Sequence, residues 1–151
     1  MGYGIRSAAA VLAVAIIATL AGPGQVQAQS GPIKIAVITD MSGIYESLAG
    51  RGAVEATKMA VEDFGGKVLG RPIEVLAIDH RNDGPLAATK AREAFDNGAE
   101  LALDETNSAV ALAVDAVAKE KHKLEIATGA ASSALTGAAC SKYTYHYAYD
   151  T

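Results

Sequence analysis

Short apolar runs rich in β-branched residues alternate with segments of helical periodicity along most of this chain. The run Ile33-Lys34-Ile35-Ala36-Val37-Ile38 is typical of a buried strand. The same reasoning predicts strands at residues 33–38, 72–79, 99–103, 124–127 and 143–149, with helices in the intervals between the first four. Units of this length join parallel strands by right-handed crossovers. The sequence therefore predicts an α/β fold, a doubly wound and mostly parallel sheet with helices on both faces.

Each predicted helix carries a stripe of small apolar residues that we expect to face the sheet. The stripes are Ala49, Ala53, Ala56, Ala60 and Phe64 in the first helix, Ala87, Ala91, Ala94 and Phe95 in the second, and Val110, Val114, Val117 and Ala118 in the third. The mostly basic run at residues 119–123 follows the third stripe, where a helix dipole favours positive charge. We interpret this run as a solvated helix end.

Residues 1–30 differ in composition from the rest of the chain. They contain no acidic residue, an apolar stretch of 14 residues from Ala8 to Ala21, and the small-x-small site Val26-Gln27-Ala28. This pattern is typical of a secretory signal peptide, and the stretch is shorter than the ~20 residues of a spanning helix. We expect residues 1–28 to be cleaved and residues 29–151 to fold in the periplasm without stable membrane insertion. An uncleaved anchor that exports the same domain is the alternative.

Charge and cysteine content exclude several classes of function. The formal net charge of −4 lacks the basic excess of a nucleic-acid-binding protein, so we expect no nucleic-acid partner. The single cysteine, Cys140, excludes an internal disulfide framework and a four-cysteine zinc site. Three histidines, His80, His122 and His146, lack metal-ligand spacing, and we expect each to be a surface or edge histidine.

Motifs of the common α/β enzymes are absent from the sequence. The first strand is followed by Asp40-Met41-Ser42-Gly43-Ile44-Tyr45 rather than by G-x-G-x-x-G, and neither a phosphate-binding loop nor a G-x-S-x-G nucleophile turn occurs. We therefore predict a protein that is not an enzyme and that holds no cofactor or metal. An exported flavodoxin-like enzyme is another interpretation, and it requires a bound flavin or nicotinamide.

Ligands of open parallel sheets bind beyond the carboxyl ends of the strands. Loops at 39–45, 104–108 and 128–133 leave such ends and are rich in small, hydroxyl-bearing or amide-bearing residues. A helix N-terminus offers unpaired N–H groups and partial positive charge, which short side chains leave accessible to an anion. Binding of a carboxylate without arginine is one interpretation of these loops. Helix capping by serine and asparagine is the other, and the sequence leaves both open.

Several segments together resemble a known family in order and spacing. Residues 33–45, 52–66, 69–75 and 107–114 are similar to the first strand and ligand loop, the first helix, the second strand and the third loop of type I periplasmic substrate-binding proteins. The resemblance is to the branched-chain amino acid transport class and covers the chain from Ile33 to Thr151. Residues 130–149 resemble the subgroup that carries aromatic or other organic acids.

The resemblance implies a receptor of two lobes that close over a small ligand and deliver it to a membrane permease. It implies that the chain is the N-terminal lobe, and we expect it to be a truncated piece rather than a natural single-lobe product. We predict an extracytoplasmic solute-binding component of an ABC transporter whose ligand is a small carboxylate. An exported ligand-sensing domain coupled to a receptor or regulator is the alternative. The ligand-binding residues that the resemblance implies are Ser42, Tyr45, Asn107, Ser108, Gly129, Ala130, Ala131, Ser132, Tyr149 and Asp150.

Overall fold

The computed structural model describes residues 31–147 and 149–151, so the predicted signal peptide lies outside the described residues. The elements in chain order are β1 (Ile33–Thr39), α1 (Gly50–Asp63), β2 (Lys67–Val68), β3 (Arg71–Asp79), α2 (Gly84–Asp96), β4 (Ala99–Asp104), α3 (Ser108–Lys121), β5 (Leu124–Ala127), a 3₁₀ turn (Ser133–Leu135) and β6 (Thr144–His146).

The strands form one sheet in the order β2-β3-β1-β4-β5-β6. β1 lies parallel to β3 and β4, β5 lies parallel to β4 and β6, and β2 is antiparallel to β3. Right-handed crossovers place α1 on one face and α2 with α3 on the other, because the chain moves from β1 to β3 in one direction and from β3 to β4 and β5 in the opposite direction. The predicted α/β, doubly wound and mostly parallel fold is confirmed.

The main core lies between the sheet and the pair α2 and α3. Ala36 and Ile38 of β1 belong to one buried cluster with apolar residues of both helices. All eight residues of the predicted α2 and α3 stripes are buried, as expected. Because α3 directly follows the loop after β4, this packing positions the N-terminus of α3 at the end of that loop.

The predicted inward face of α1 is wrong. Gly50 and Val54 are the buried residues of this helix, whereas Ala56, Ala60 and Phe64 are exposed. A Cβ at Gly50 would lie 3.1 Å from the backbone oxygen of Asp40, so this glycine sits where the helix approaches the loop after β1. Because the glycine contact and the larger Val54 side chain face the sheet, the helix is rotated away from its alanine stripe.

The short hairpin strand β2 is absent from the sequence prediction. It has two residues, and the two-residue turn at Leu69 and Gly70 has φ values of 49° and 79°. Positive φ at both central positions matches the right-handed twist of a tight hairpin. A strand this short leaves no alternation of apolar and polar residues to recognise.

The last predicted strand is shorter than expected, and the lysines of the basic run form ion pairs. β6 covers Thr144–His146 rather than residues 143–149. The basic run is a partly exposed helix end, in agreement with the interpretation, and its lysines are also ion-paired. Each pairs with an acidic side chain at 2.6 Å; the pairs are Lys119 with Asp115, Lys121 with Asp96 and Lys123 with Glu100. The Lys119 pair lies within α3, whereas Lys121 ties the end of α3 to α2 and Lys123 ties the turn after it to β4.

Candidate functional site

The loops that follow β1, β3, β4 and β5 lie along one rim, because parallel strands end at the same edge of the sheet. The chain leaves β1 toward α1 on one face and leaves β4 toward α3 on the other, so a crevice is expected between these two loops. Ser42 lies in the first loop, and Ser108 begins α3 directly after the second. The rim between them is the candidate ligand site.

Two carboxylates shape the loop after β1. Asp40 is fully buried, and its carboxylate accepts from the backbone N–H of Gly43 at 2.7 Å and of Tyr45 at 3.0 Å. A Cβ at Gly43 would lie 2.5 Å from the carboxylate oxygens, so the loop closes this tightly only around glycine. Tyr45 is thereby held half-buried at the rim.

Asp79, at the end of β3, holds the same loop from the neighbouring strand. Its carboxylate accepts from the Ser42 hydroxyl at 2.6 Å and from the backbone N–H of Met41 and of Arg81 at 3.0 Å. Partial burial raises the pKa of Asp79, but hydrogen bonds from Ser42, Arg81 and Met41 outweigh it, so the pKa is lowered overall. Because the Ser42 hydroxyl donates its proton to Asp79, it can only accept a hydrogen bond from a ligand in this arrangement.

The N-terminus of α3 carries hydrogen-bond donors that have no acceptor among the described residues. Asn107 is its N-cap, and its Oδ1 accepts from the N–H of Ala109 at 2.7 Å and of Val110 at 3.3 Å. Ser108 Oγ accepts from the N–H of Ala131 at 3.1 Å, which leaves the Ser108 hydroxyl proton free to donate. The Asn107 side-chain NH₂ and the Ser108 N–H make no hydrogen bond within the described ranges. These groups lie at the N-terminus of α3, which itself carries partial positive charge.

The loop after β5 packs tightly on the end of β4. The Asp104 backbone oxygen accepts from the N–H of Thr128 at 3.0 Å and of Gly129 at 3.2 Å. A Cβ at Gly129 would lie 2.8 Å from Thr106 Cα, so glycine is required for this approach. Ser132 then caps the 3₁₀ turn by accepting from Ala134 N–H at 3.3 Å, and its own proton is available to a ligand.

Three residues from β6 and the segment after it bind the backbone oxygens of this loop. His146 Nε2 lies 2.6 Å from the oxygen of Ala130, and the Tyr149 hydroxyl lies 3.3 Å from that of Gly129. The N–H and hydroxyl of Thr151 both donate to the Ala131 oxygen, at 3.0 Å and 2.9 Å. Because a carbonyl only accepts, His146 carries its proton on Nε2. We call the set His146, Tyr149 and Thr151 the carbonyl clamp.

The structure brings most of the predicted ligand residues to the rim and joins some of them directly. Ser108 contacts Ala131, and Tyr149 contacts Gly129, whereas Ser42 contacts Asp79 across the first two loops. Asp150 is exposed and makes no side-chain hydrogen bond among the residues that the structure describes. Their roles in binding stay predictions.

Sequence reasoning missed several residues that organise this rim. His146 and Thr151 complete the carbonyl clamp, which no spacing in the sequence indicates. One feature of the sequence points to Asp40 and Asp79: each stands at the end of a predicted parallel strand, and such strand ends form the ligand edge of the sheet. The structure gives these two a positioning role in the first loop.

His80 is not a surface or edge histidine as predicted. It is fully buried, and its Nδ1 accepts from the N–H of Asn82 at 2.9 Å, so its proton lies on Nε2. Burial lowers the pKa of His80, and this outweighs the opposing charges of Asp40, Asp79 and Asp104. A neutral histidine therefore supports the turn after β3. His122 is exposed, as expected, and stacks on Tyr143 at 5.4 Å between ring centroids.

A groove of about 490 Å³ lies elsewhere, along the outer part of β3 beside α2. It contains none of the predicted ligand residues, although Asp79 and Arg81 lie at one end of it. No helix in the described part of the chain is long and apolar enough to cross a membrane.

A parallel α/β sheet with small, hydrogen-bonding loops at its carboxyl edge defines a lobe of the type I periplasmic-binding fold. The chain belongs to the periplasmic binding protein family, whose model matches residues 32–151. No curated protein matches the sequence.

Solved structures of this class give the same assignment. A periplasmic binding protein from Burkholderia mallei is 53% identical with a TM-score of 0.77, over 79% of this chain and 32% of that one. A branched-chain amino acid ABC transporter periplasmic ligand-binding protein from Burkholderia xenovorans LB400 is 38% identical with a TM-score of 0.76, over 78% and 32%. A leucine-binding protein from Thermotoga maritima is 28% identical with a TM-score of 0.67, over 74% and 31%. The chain thus spans about a third of the length of these structures, and the predicted class is confirmed.

Proposed function

We propose that this chain is the N-terminal lobe of an extracytoplasmic solute-binding component of an ABC transporter, and that it captures a small carboxylate ligand without changing it chemically. The observation that carries the proposal is that Ser108 and Ser132, on two loops joined by the Ser108–Ala131 hydrogen bond, each keep a hydroxyl proton without an acceptor among the described residues, as does the Ser108 N–H. A carboxylate placed there would accept charge-assisted hydrogen bonds from all three. No buried cation is needed, because the N-terminus of α3 supplies the positive field.

The ligand class is an amino acid or an aromatic or other organic acid. The relatives support the amino acid, since one solved relative is named for branched-chain amino acids and another for leucine. Tyr149 supports a flat ligand, because it is exposed yet held to the loop by its hydroxyl. Tyrosine offers an apolar face beside a polar tip.

Binding is tested by titrating the purified chain with branched-chain amino acids and benzoic acids while following backbone amide resonances. We expect the Ser108 and Ser132 amides to shift, with low affinity because one lobe contributes only part of a closing site. Ser108→Ala should weaken binding. Ser133→Ala is the matched control, because this exposed neighbour of Ser132 makes no side-chain hydrogen bond within the described ranges.

Delivery to a permease and location in the periplasm complete the proposal. Genes for a permease and an ATPase beside the coding gene would support transport, whereas a kinase or chemoreceptor gene would favour the sensing alternative. Mass spectrometry of the exported protein tests the predicted cleavage after Ala28. Retention of residues 1–28 in the exported form would contradict that cleavage.

A further inference from the structure

A cluster of buried acidic side chains lies under α3, away from the candidate ligand rim. Glu125 of β5 is fully buried, and Asp115 of α3 is 2% exposed. Both contact the hydroxyl of Thr144, which is the residue of β6 paired with Glu125 in the sheet. Thr144 Oγ1 lies 2.5 Å from Asp115 Oδ1 and 3.2 Å from Glu125 Oε2.

One hydroxyl cannot satisfy two ionised carboxylates, because it has a single proton to donate. Asp115 receives that proton in the shorter contact, and its other oxygen lies 2.6 Å from Lys119 Nζ, so Asp115 is the charged member. Glu125 Oε1 has no partner among the described residues. A hydrogen bond between Glu125 Oε2 and Thr144 then requires Glu125 to be protonated and to donate.

Strand β6 connects Glu125 to the ligand loop. The Tyr147 N–H bonds to the Ala127 oxygen at 2.9 Å, and the Glu125 N–H bonds to the Tyr143 oxygen at 2.9 Å, so β6 is held to β5 on both sides of Thr144. The carbonyl clamp begins at His146, two residues beyond Thr144. Whatever loosens β6 from Glu125 also loosens the clamp from Gly129, Ala130 and Ala131.

We propose that Glu125 is a positioning residue whose proton holds β6 and the carbonyl clamp in place, and that losing the proton at alkaline pH releases them. An ionised Glu125 would face the charged Asp115 in a buried position and lose its hydrogen bond to Thr144. This proposal concerns the lobe alone; only its consequence for ligand affinity rests on the proposed function.

The surrounding charges agree with a neutral Glu125. Burial and the neighbouring Asp115 raise its pKa to about 8, whereas Lys119, and the Thr144 hydroxyl when it donates to Glu125 instead of Asp115, act in the opposite direction. From the end of β4, Glu105 and Asp104 add only acidic groups, and burial together with Glu125 and Asp104 raises the pKa of Glu105 well above its usual value. On β6 itself the titratable groups are Tyr145, which is exposed, and His146, which donates to Ala130 rather than to a carboxylate.

Hydrogen exchange of the full chain between pH 6 and pH 9 tests the proposal. After correction for intrinsic exchange, the opening constants of the Glu125 and Tyr147 amides should rise with pH, by up to about tenfold per unit below pH 8, and then level off. Glu125→Gln keeps the shape and a donor for Thr144, so its opening constants should be flat with pH. Glu120→Gln, an exposed change on α3, should keep the wild-type slope.

Two results would overturn the proposal. One is an equal pH slope in the Glu125→Gln variant, which would assign the dependence to His146 or another group. The other is a ¹³C carboxyl resonance showing Glu125 ionised at pH 7 in the folded wild-type chain, a measurement that needs no variant. Ligand titration at pH 6 separates this idea from the proposed function, since binding there does not depend on release of the clamp.

Discussion

Ser108 Oγ accepts a hydrogen bond from the backbone N–H of Ala131 at 3.1 Å, which joins the first residue of α3 to the loop after β5. Because Ser108 Oγ accepts this hydrogen bond, its hydroxyl proton points away from the Ala131 N–H. It also places two loops from neighbouring strands in a fixed relation. The rim is therefore preorganised for a ligand on the side of β4 and β5.

Replacing Ser108 with alanine should weaken carboxylate binding by about 1.5–3 kcal/mol, the contribution of a hydrogen bond to a charged group. The change also leaves the Ala131 N–H without its acceptor, so a loss of folding stability of about 1 kcal/mol is expected. Calorimetric titration and urea unfolding measure the two effects. An unchanged affinity in Ser108→Ala, with Ser133→Ala also unchanged, would remove Ser108 from the site.

Replacing Gly43 with alanine should destabilise the loop after β1, because the new Cβ would lie 2.5 Å from the Asp40 carboxylate oxygens. Overpacking of this kind costs about 1–3 kcal/mol of unfolding free energy. Gly52→Ala is the matched control: nothing lies within 4 Å of its Cβ position, and it sits inside α1. There alanine should stabilise by about 0.4–1 kcal/mol. Equal effects at both positions would refute the packing of the first loop.

The rotation of α1 is tested by a pair of substitutions on its two faces. Val54 is 4% exposed and Met59 is 64% exposed. Val54→Ala should lower the unfolding free energy by about 1–2 kcal/mol through lost burial and a small cavity. Met59→Ala should change it by less than about 0.5 kcal/mol, as surface changes do. A larger loss from Met59→Ala would support the alanine-stripe orientation instead.

Asp79 should make the first loop sensitive to acid. Its pKa is lowered in the folded chain from 3.8, so its stabilising effect is present above that value and is lost as pH falls through the lower folded value. Asp79→Asn should therefore be less stable than wild type at pH 7, and the difference should shrink below pH 3.8. Unfolding curves at both pH values measure this. Asp63→Asn, at the exposed end of α1, is the control for the loss of one carboxylate at the surface.

The sequence was sufficient for elements whose inward residues are large or closely spaced. Phe95 of α2 and the valines of α3 identify the buried faces of these helices, because the core has only one place for such side chains. In α1 the exposed alanines and the inward Gly50 and Val54 form two overlapping helical stripes. Only the approach of Gly50 to the Asp40 backbone decides between them, and a contact between distant segments is not visible in spacing.

The residues of the candidate site also divide into those that the sequence predicts and those that it does not. Ser108 and Asn107 could be predicted, because capping residues at a strand–helix junction carry a local signal. The carbonyl clamp could not, since His146 and Thr151 reach Ala130 and Ala131 only after β6 has paired with β5. The burial of Glu125 and His80 was missed for a related reason: Glu125 lies in a short strand and His80 directly after one, and only the packing of other segments on them buries their side chains.

The most direct test of the proposed function is the amide titration of the purified chain with branched-chain amino acids and benzoic acids. We expect shifts centred on Ser108 and Ser132, which Ser108→Ala reduces and Ser133→Ala leaves unchanged. Shifts confined to the groove beside α2, or no shift with any carboxylate in the panel, would contradict it.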